Sequence, residues 1–152
     1  MKDESYSLHT DGGARGNPGP AGIGAILGDP HGAVVESLSQ GIGWCTNNVA
    51  EYRALIEGLR IALAHRVRVL RIFMDSELVV NQMQGIYRVK NPGLRLLHEE
   101  AVAMVNRFSE VSFQAVPREQ NSGADELVNA GIDQWLHSNP HAEPEPAQKP
   151  LF

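Results

Sequence analysis

At 152 residues, 42% of them hydrophobic and 20% charged, the chain suits one globular domain; a disordered or fibrous protein and a pair of ordinary domains are excluded. Thirteen Lys and Arg against eighteen Asp and Glu give a formal net charge of −5, which argues against holding nucleic acid by bulk electrostatics unless the acids gather in one site neutralised by divalent cations. No apolar run approaches the roughly 20 residues of a membrane span, and the start Met1-Lys2-Asp3-Glu4 lacks the apolar core of a secretory signal, so a cytoplasmic, monomeric protein away from membranes is expected.

Tyr6 to Asp11 alternates in polarity with period 2, which predicts a strand ending at Asp11. The stretch Gly12 to Pro20 is rich in Gly and Pro and reads as a loop. Two strands follow, at about residues 21–28 and 33–43, joined by the turn-forming Asp29-Pro30-His31-Gly32 as an antiparallel meander. The lone cysteine, Cys45, cannot form an intrachain disulfide and reads as a small, buried, inert thiol beside Trp44. From Asn47 the period becomes helical, to about His65. Residues 67–74 are apolar and β-branched, as expected of a central strand buried on both faces, and stop at Asp75. A short helix over 76–84, a loop at 88–93 and a helix over 94–108 striped by Leu94, Leu97, Ala101, Val105 and Phe108 come next. A strand at 111–116 and a helix at 122–137 complete a domain assigned to residues 1–138. Residues 139–152, with four prolines, read as a disordered tail or linker stub. The order βββαβ, two helices, then βα is that of an α/β protein with helices packed on a mixed sheet.

Four carboxylates stand out. Asp11 and Asp75 each end a predicted strand, where open α/β sheets bind ligands. Counting about 100° per residue puts Glu51 on one stripe with Ala54, Leu55, Gly58 and Ala62, while Arg53, Glu57 and Arg60 fall opposite. The same count puts Asp125 with Val128, Asn129, Ile132 and Leu136. Plainer roles exist: Asp11 and Asp75 as turn or cap residues, Asp125 as the third residue of a capping box begun by Ser122. Inward-facing carboxylates without a partner are costly, however, and neither stripe carries a Lys or Arg. Oxygen-only, acid-rich sites suit magnesium or manganese, and carboxylates shared by two such ions serve phosphoryl displacement.

Other signals are weaker. Gly22-Ile23-Gly24-Ala25-Ile26-Leu27 lacks the third glycine of a dinucleotide loop and lies between strands. The six histidines show no zinc-ligand spacing, although His9 shares a strand face with Asp11 and could approach a site there.

The motifs Thr10-Asp11-Gly12-Gly13-Ala14-Arg15-Gly16-Asn17-Pro18-Gly19-Pro20, Thr46-Asn47-Asn48-Val49-Ala50-Glu51, Asp75-Ser76-Glu77-Leu78-Val79 and Asn121-Ser122-Gly123-Ala124-Asp125-Glu126-Leu127 occur in the order, and with the intervening elements, of the type 1 ribonucleases H, which the chain resembles over roughly residues 5 to 138. The resemblance implies an RNase H-like α/β fold: a five-stranded mixed sheet of order 3-2-1-4-5, flanked by helices, with the acids converging near its centre. It implies endonucleolytic hydrolysis of the RNA strand of RNA–DNA hybrids by two Mg2+ ions, replaceable by Mn2+, leaving 5′-phosphate and 3′-hydroxyl ends. Asp11 would serve both ions, Glu51 and Asp75 the one at the leaving 3′-oxygen, and Asp125 the one at the attacking water. Gly12 would lie against substrate, Thr46 would contact a DNA-strand phosphate, and Asn17, Asn47 and Asn48 would lie in the minor groove near 2′-hydroxyls or base edges. One of Asn47 and Asn48 is also expected to cap the helix that carries Glu51.

Two departures from the family pattern appear. Where some members insert a basic helix and loop, only Arg88, Lys90 and Arg95 stand here, which predicts weaker hybrid binding. Where many members carry a loop histidine, Pro117 to Ala124 offers Arg118 and Glu119, and Arg118 is expected to contact phosphate instead. The rival readings are a hybrid-binding module that does not cut, which would need one of the four acids missing, and another metal-dependent nuclease on the same fold.

Overall fold

The structure, a computed structural model, describes residues 4–140, so the expected tail lies outside the described residues from residue 141 onward. Among the described residues there are five strands and four α-helices: β1 (Ser5–Ala14), β2 (Gly19–Gly28), β3 (Val34–Cys45), α1 (Asn47–Ala64), β4 (Val69–Met74), α2 (Glu77–Met83), α3 (Pro92–Val105), β5 (Glu110–Ala115) and α4 (Ser122–Ser138). The strands form one sheet in the order β3-β2-β1-β4-β5. β1, β2 and β3 pair antiparallel, and β4 and β5 add in parallel beside β1. This is the expected topology. Among the described residues no helix is long and apolar enough to cross a membrane.

The alternation of β1 and β2 divides the sheet into two faces. Leu8 and Thr10 pair with Leu27 and Ala25 and turn toward α1; His9, Asp11 and Gly13 pair with Ile26, Gly24 and Gly22 on the other face. The first face carries the core, where Leu8, Leu27, Leu70, Ile72 and Met74 meet Leu55, Leu59 and Ala62 of α1 and Leu94, Ala101 and Met104 of α3. Burying each large apolar side chain there contributes about 1.5–3 kcal/mol. α4 covers β2 and β3 on the second face, and Gly24 lets it come close: a side chain there would strike the backbone of Ala124 and Val128.

Several boundaries differ from the sequence reading. The loop expected over 12–20 shrinks to residues 15–18, because Gly12, Gly13 and Ala14 continue β1 in register with Ile23, Gly22 and Ala21. Gly and Pro there mark tight packing as well as a turn. β3 likewise runs on to Cys45, paired with Gly19. β4 is buried on one face only: Leu70, Ile72 and Met74 are buried, but Arg71 is exposed, since α4 lies over β2 and β3 and not over this half of the sheet. α3 starts at Pro92 and ends at Val105, capped by the Asn91 side chain through Gly93 and Leu94, which leaves Phe108 beyond its end. A 3-10 turn at Arg118–Asn121, not expected from the sequence, leads into α4. Cys45 is half-buried rather than buried, and desolvation pushes its thiol up.

Candidate active site

Three elements bring acids to one point. Asp11 lies within β1, Glu51 in the second turn of α1, and Asp75 in the step between β4 and α2. α1 can cross β1 closely only because residue 12 is glycine; an added methyl would run into the Ala50 carbonyl and the Glu51 nitrogen. The same approach lets the Gly12 N–H donate to Glu51 Oε1 at 2.6 Å. The Gly12 N–H thus serves Glu51, and Gly12 itself lines the cavity that the acids share.

The side chains of Asp11, Glu51 and Asp75 each offer an oxygen within 4.8 Å of the others. Asp11 and Glu51 are buried. Burial first, then the negative charge of Glu51, Asp75 and Asp125, pushes the Asp11 carboxyl up to about 9. Burial likewise raises Glu51, to about 7, against the opposing hydrogen bonds from the Gly12 N–H, Asp11 and Ser76. Nearby positive charge is slight: Arg118 Nε lies 3.5 Å from Asp75 Oδ2, from a side chain 78% exposed, so the pairing is weakly held. A compact, under-neutralised set of hard oxygen donors fits divalent cations such as Mg2+.

Asp125 stands slightly apart. It lines the same cavity of about 860 Å3, together with Asp11, Glu51, Asp75, Asn47, Asn48 and Arg118, and its charge is felt at Asp11, but it lies outside the tight trio. The stripe of α4 that is buried is Ala124, Val128, Gly131 and Ile132, so Asp125 is half-buried at its flank, with Asn129 exposed. Val128 and Ile132 face inward as the count has it, but Ala124 and Gly131 are buried where the count puts Asn129 and Leu136, so the buried stripe is turned by about one position. The capping box from Ser122 is not formed either: the cap is Asn121, whose amide donates to the Thr10 carbonyl at 2.9 Å.

Thr46, not Asn47 or Asn48, caps α1, its hydroxyl accepting from the Val49 N–H at 3.3 Å. Asn47 Oδ1 instead accepts from the Ala14 N–H at 2.8 Å, and the Asn47 N–H donates to Asn17 Oδ1 at 3.0 Å. The carbonyl ends of both amides are thus occupied by backbone, and their NH2 groups remain as donors. His9 stacks on Phe73, with ring centroids 4.9 Å apart, and burial lowers its pKa; it does not line the cavity. Ser76 is a residue that sequence reasoning missed: its hydroxyl caps α2 and also bonds Glu51, and an Asp-Ser step after a strand is the available signal.

A family described as reverse transcriptase-like matches residues 9–131. Ribonuclease HI of Neisseria meningitidis (strain Z2491) is 33% identical over 148 residues, an alignment spanning 88% of this chain and 99% of that protein. The chain belongs to the ribonuclease H family. Another relative is the bifunctional protein Rv2228c of Mycobacterium tuberculosis, 43% identical over 142 residues; the chain spans 39% of that protein's length. Its N-terminal ribonuclease H domain, solved as a fusion with maltose-binding protein, superposes with a TM-score of 0.83 over 85% of this chain and 99% of that one, at 44% identity. LC11 RNase H1, solved in complex with an RNA/DNA hybrid, is also 44% identical, with a TM-score of 0.81 over 86% of this chain and 99% of that one. The observed strand order is that of a ribonuclease H fold.

Proposed function

We propose that this ribonuclease H hydrolyses the RNA strand of RNA–DNA hybrids endonucleolytically, with two Mg2+ ions that Mn2+ can replace, leaving 5′-phosphate and 3′-hydroxyl ends. The observation that carries the reading is the crowding of Asp11, Glu51 and Asp75 within 4.8 Å on the floor of an open cavity, with two of them resisting ionisation. Such a set is poorly suited to stand without cations. It is supported from outside by the hybrid bound to the LC11 enzyme.

Asp11 would be shared between the two ions, with Glu51 and Asp75 toward one and Asp125 toward the other. Bound there, the cations supply positive charge to the attacked phosphodiester and acidify water at neutral pH. The rest falls to the chain's own groups. The Gly12 N–H and the Ser76 hydroxyl orient Glu51, and Asn121 fixes the Thr10 backbone next to Asp11. The free NH2 group of Asn47, with Asn48 beside it on the cavity wall, and that of Asn17, which adjoins Asn47 but does not line the cavity, are donors matched to 2′-hydroxyl oxygens or minor-groove base acceptors, which is how hybrid would be told from duplex DNA. Thr46, exposed at the head of α1, would contact a DNA-strand phosphate, and Arg118, exposed beside Asp75, would contact a substrate phosphate. Residues 1–138 form the catalytic domain in this reading and 139–152 a tail or linker, in a monomeric, cytoplasmic protein.

The test incubates the purified protein with end-labelled hybrid, duplex DNA and duplex RNA in Mg2+, with Asp75→Asn as control. Cutting confined to the RNA of the hybrid and abolished in Asp75→Asn is expected. Equal cutting of all three substrates would point to a different nuclease, and hybrid bound without cleavage to a binding module; either overturns the proposal.

A further inference from the structure

Asp125 is the one acid of the four that α4 carries, and it lies outside the tight trio of Asp11, Glu51 and Asp75. α4 carries it at the flank of its buried stripe, where close packing on Gly22 and Gly24 seats the helix and hydrogen bonds at its two edges add direction to that seat. On the β3 side the Ser39 hydroxyl donates to the Leu127 carbonyl at 2.6 Å. On the side facing the cavity the hold comes from a cation on the turn between β1 and β2. Arg15 Nη1 lies 2.7 Å from Asp133 Oδ1, and its Nη2 donates to Asn129 Oδ1 at 3.2 Å and to the Asn129 carbonyl at 3.4 Å. Asn129 Nδ2 in turn donates to the backbone carbonyl of Asp125 at 3.1 Å, one turn earlier.

We infer that Arg15 is a positioning residue: by gripping Asn129 and Asp133 on successive turns of α4, it sets how far Asp125 stands from Asp11, Glu51 and Asp75. An isolated exposed ion pair contributes little to stability, and Arg15 and Asp133 are 42% and 68% exposed in their side chains. Its weight here lies in direction. One planar guanidinium meets three acceptors on one helix, a geometry that a point charge cannot reproduce. Because Arg15 also lies on the cavity wall, the competing role is a direct phosphate contact, which would act on hybrid affinity and not on the acids.

The inference rests on the metal-dependent site proposed above, and its test separates the two. In the full chain, Arg15→Ala, Arg15→Lys, Asp133→Asn and Asp125→Asn are compared by calorimetric Mn2+ titration without substrate and by steady-state hybrid cleavage. Arg15→Ala is expected to weaken Mn2+ binding about tenfold and to lower kcat by a similar factor with KM unchanged, as removal of a residue supporting a ligand does. Asp133→Asn moves both in the same direction by less, and Arg15→Lys recovers part of the loss. In an Asp125→Asn background Arg15→Ala has no further effect on Mn2+ binding. A parental Mn2+ isotherm in Arg15→Ala, or a raised KM with kcat kept, overturns the inference while leaving the metal site standing. An unchanged isotherm in Asp125→Asn itself removes Asp125 from the metal site, and the inference falls with it.

Discussion

A carboxylate whose proton is held tightly is a destabilising group at neutral pH until something compensates it. Asp11 moves from its ordinary 3.8 to about 9, and Glu51 from 4.5 to about 7, on folding without metal. A raised value means that the folded state keeps its proton after the unfolded state has released it, so stability is fully present below pH 4 and falls as pH rises toward about 9. Thermal unfolding in EDTA is therefore expected to show a Tm that declines from pH 5 to pH 9, and Asp11→Asn should flatten the decline. Saturating Mg2+ should reverse it, because cations bind the deprotonated acids. A Tm that rises with pH in EDTA would contradict the burial of these groups. At the same scale, Asn47→Ala removes both the acceptor for the Ala14 N–H and a donor facing the cavity. It is expected to raise KM for hybrid several-fold, and to cost about 1 kcal/mol of stability through the unsatisfied N–H, read by urea titration.

At the scale of the elements, the crossing of α1 over β1 positions the site. Gly12 is the residue that permits it, and Gly12→Ala sets a methyl against the Ala50 carbonyl, so either backbone must shift. The expected cost is about 1–3 kcal/mol in stability, and cleavage should be lost even where the protein still folds, since Glu51 loses its fixed donor. Circular dichroism together with the hybrid assay checks both. Element identity is readable from period: the alternation of β1, the helical stripe of α1 and the placement of Glu51 opposite Arg60 all follow from local pattern. Boundaries are less so. Gly12-Gly13-Ala14 looks like loop to any local reading, and only its pairing with β2 makes it strand.

At the scale of the molecule, the proposed hybrid substrate is a polyanion that a chain of net charge −5 would meet through a few local cations, and the region between α2 and α3 supplies only Arg88 and Lys90, both exposed. Removing a side chain that neutralises one phosphate flattens the dependence of log K on log salt by roughly 0.7–0.9, so Lys90→Ala and Arg118→Ala are each expected to reduce the slope of hybrid binding by about that amount where they touch phosphate. Fluorescence anisotropy across a salt series in Ca2+, with unchanged slope as the contrary result, decides it. The sequence by itself determined the fold class and the order of four candidate acids along the chain, because strand and helix periods and short motifs are local properties of the chain. Only the tertiary structure decided that Asp11, Glu51 and Asp75 converge while Asp125 stands at the rim, that Gly12 serves Glu51, and that Arg15 grips α4. Those facts depend on which surfaces of distant segments touch and at what roll, and a side chain's neighbours across a sheet are not encoded by its neighbours along the chain.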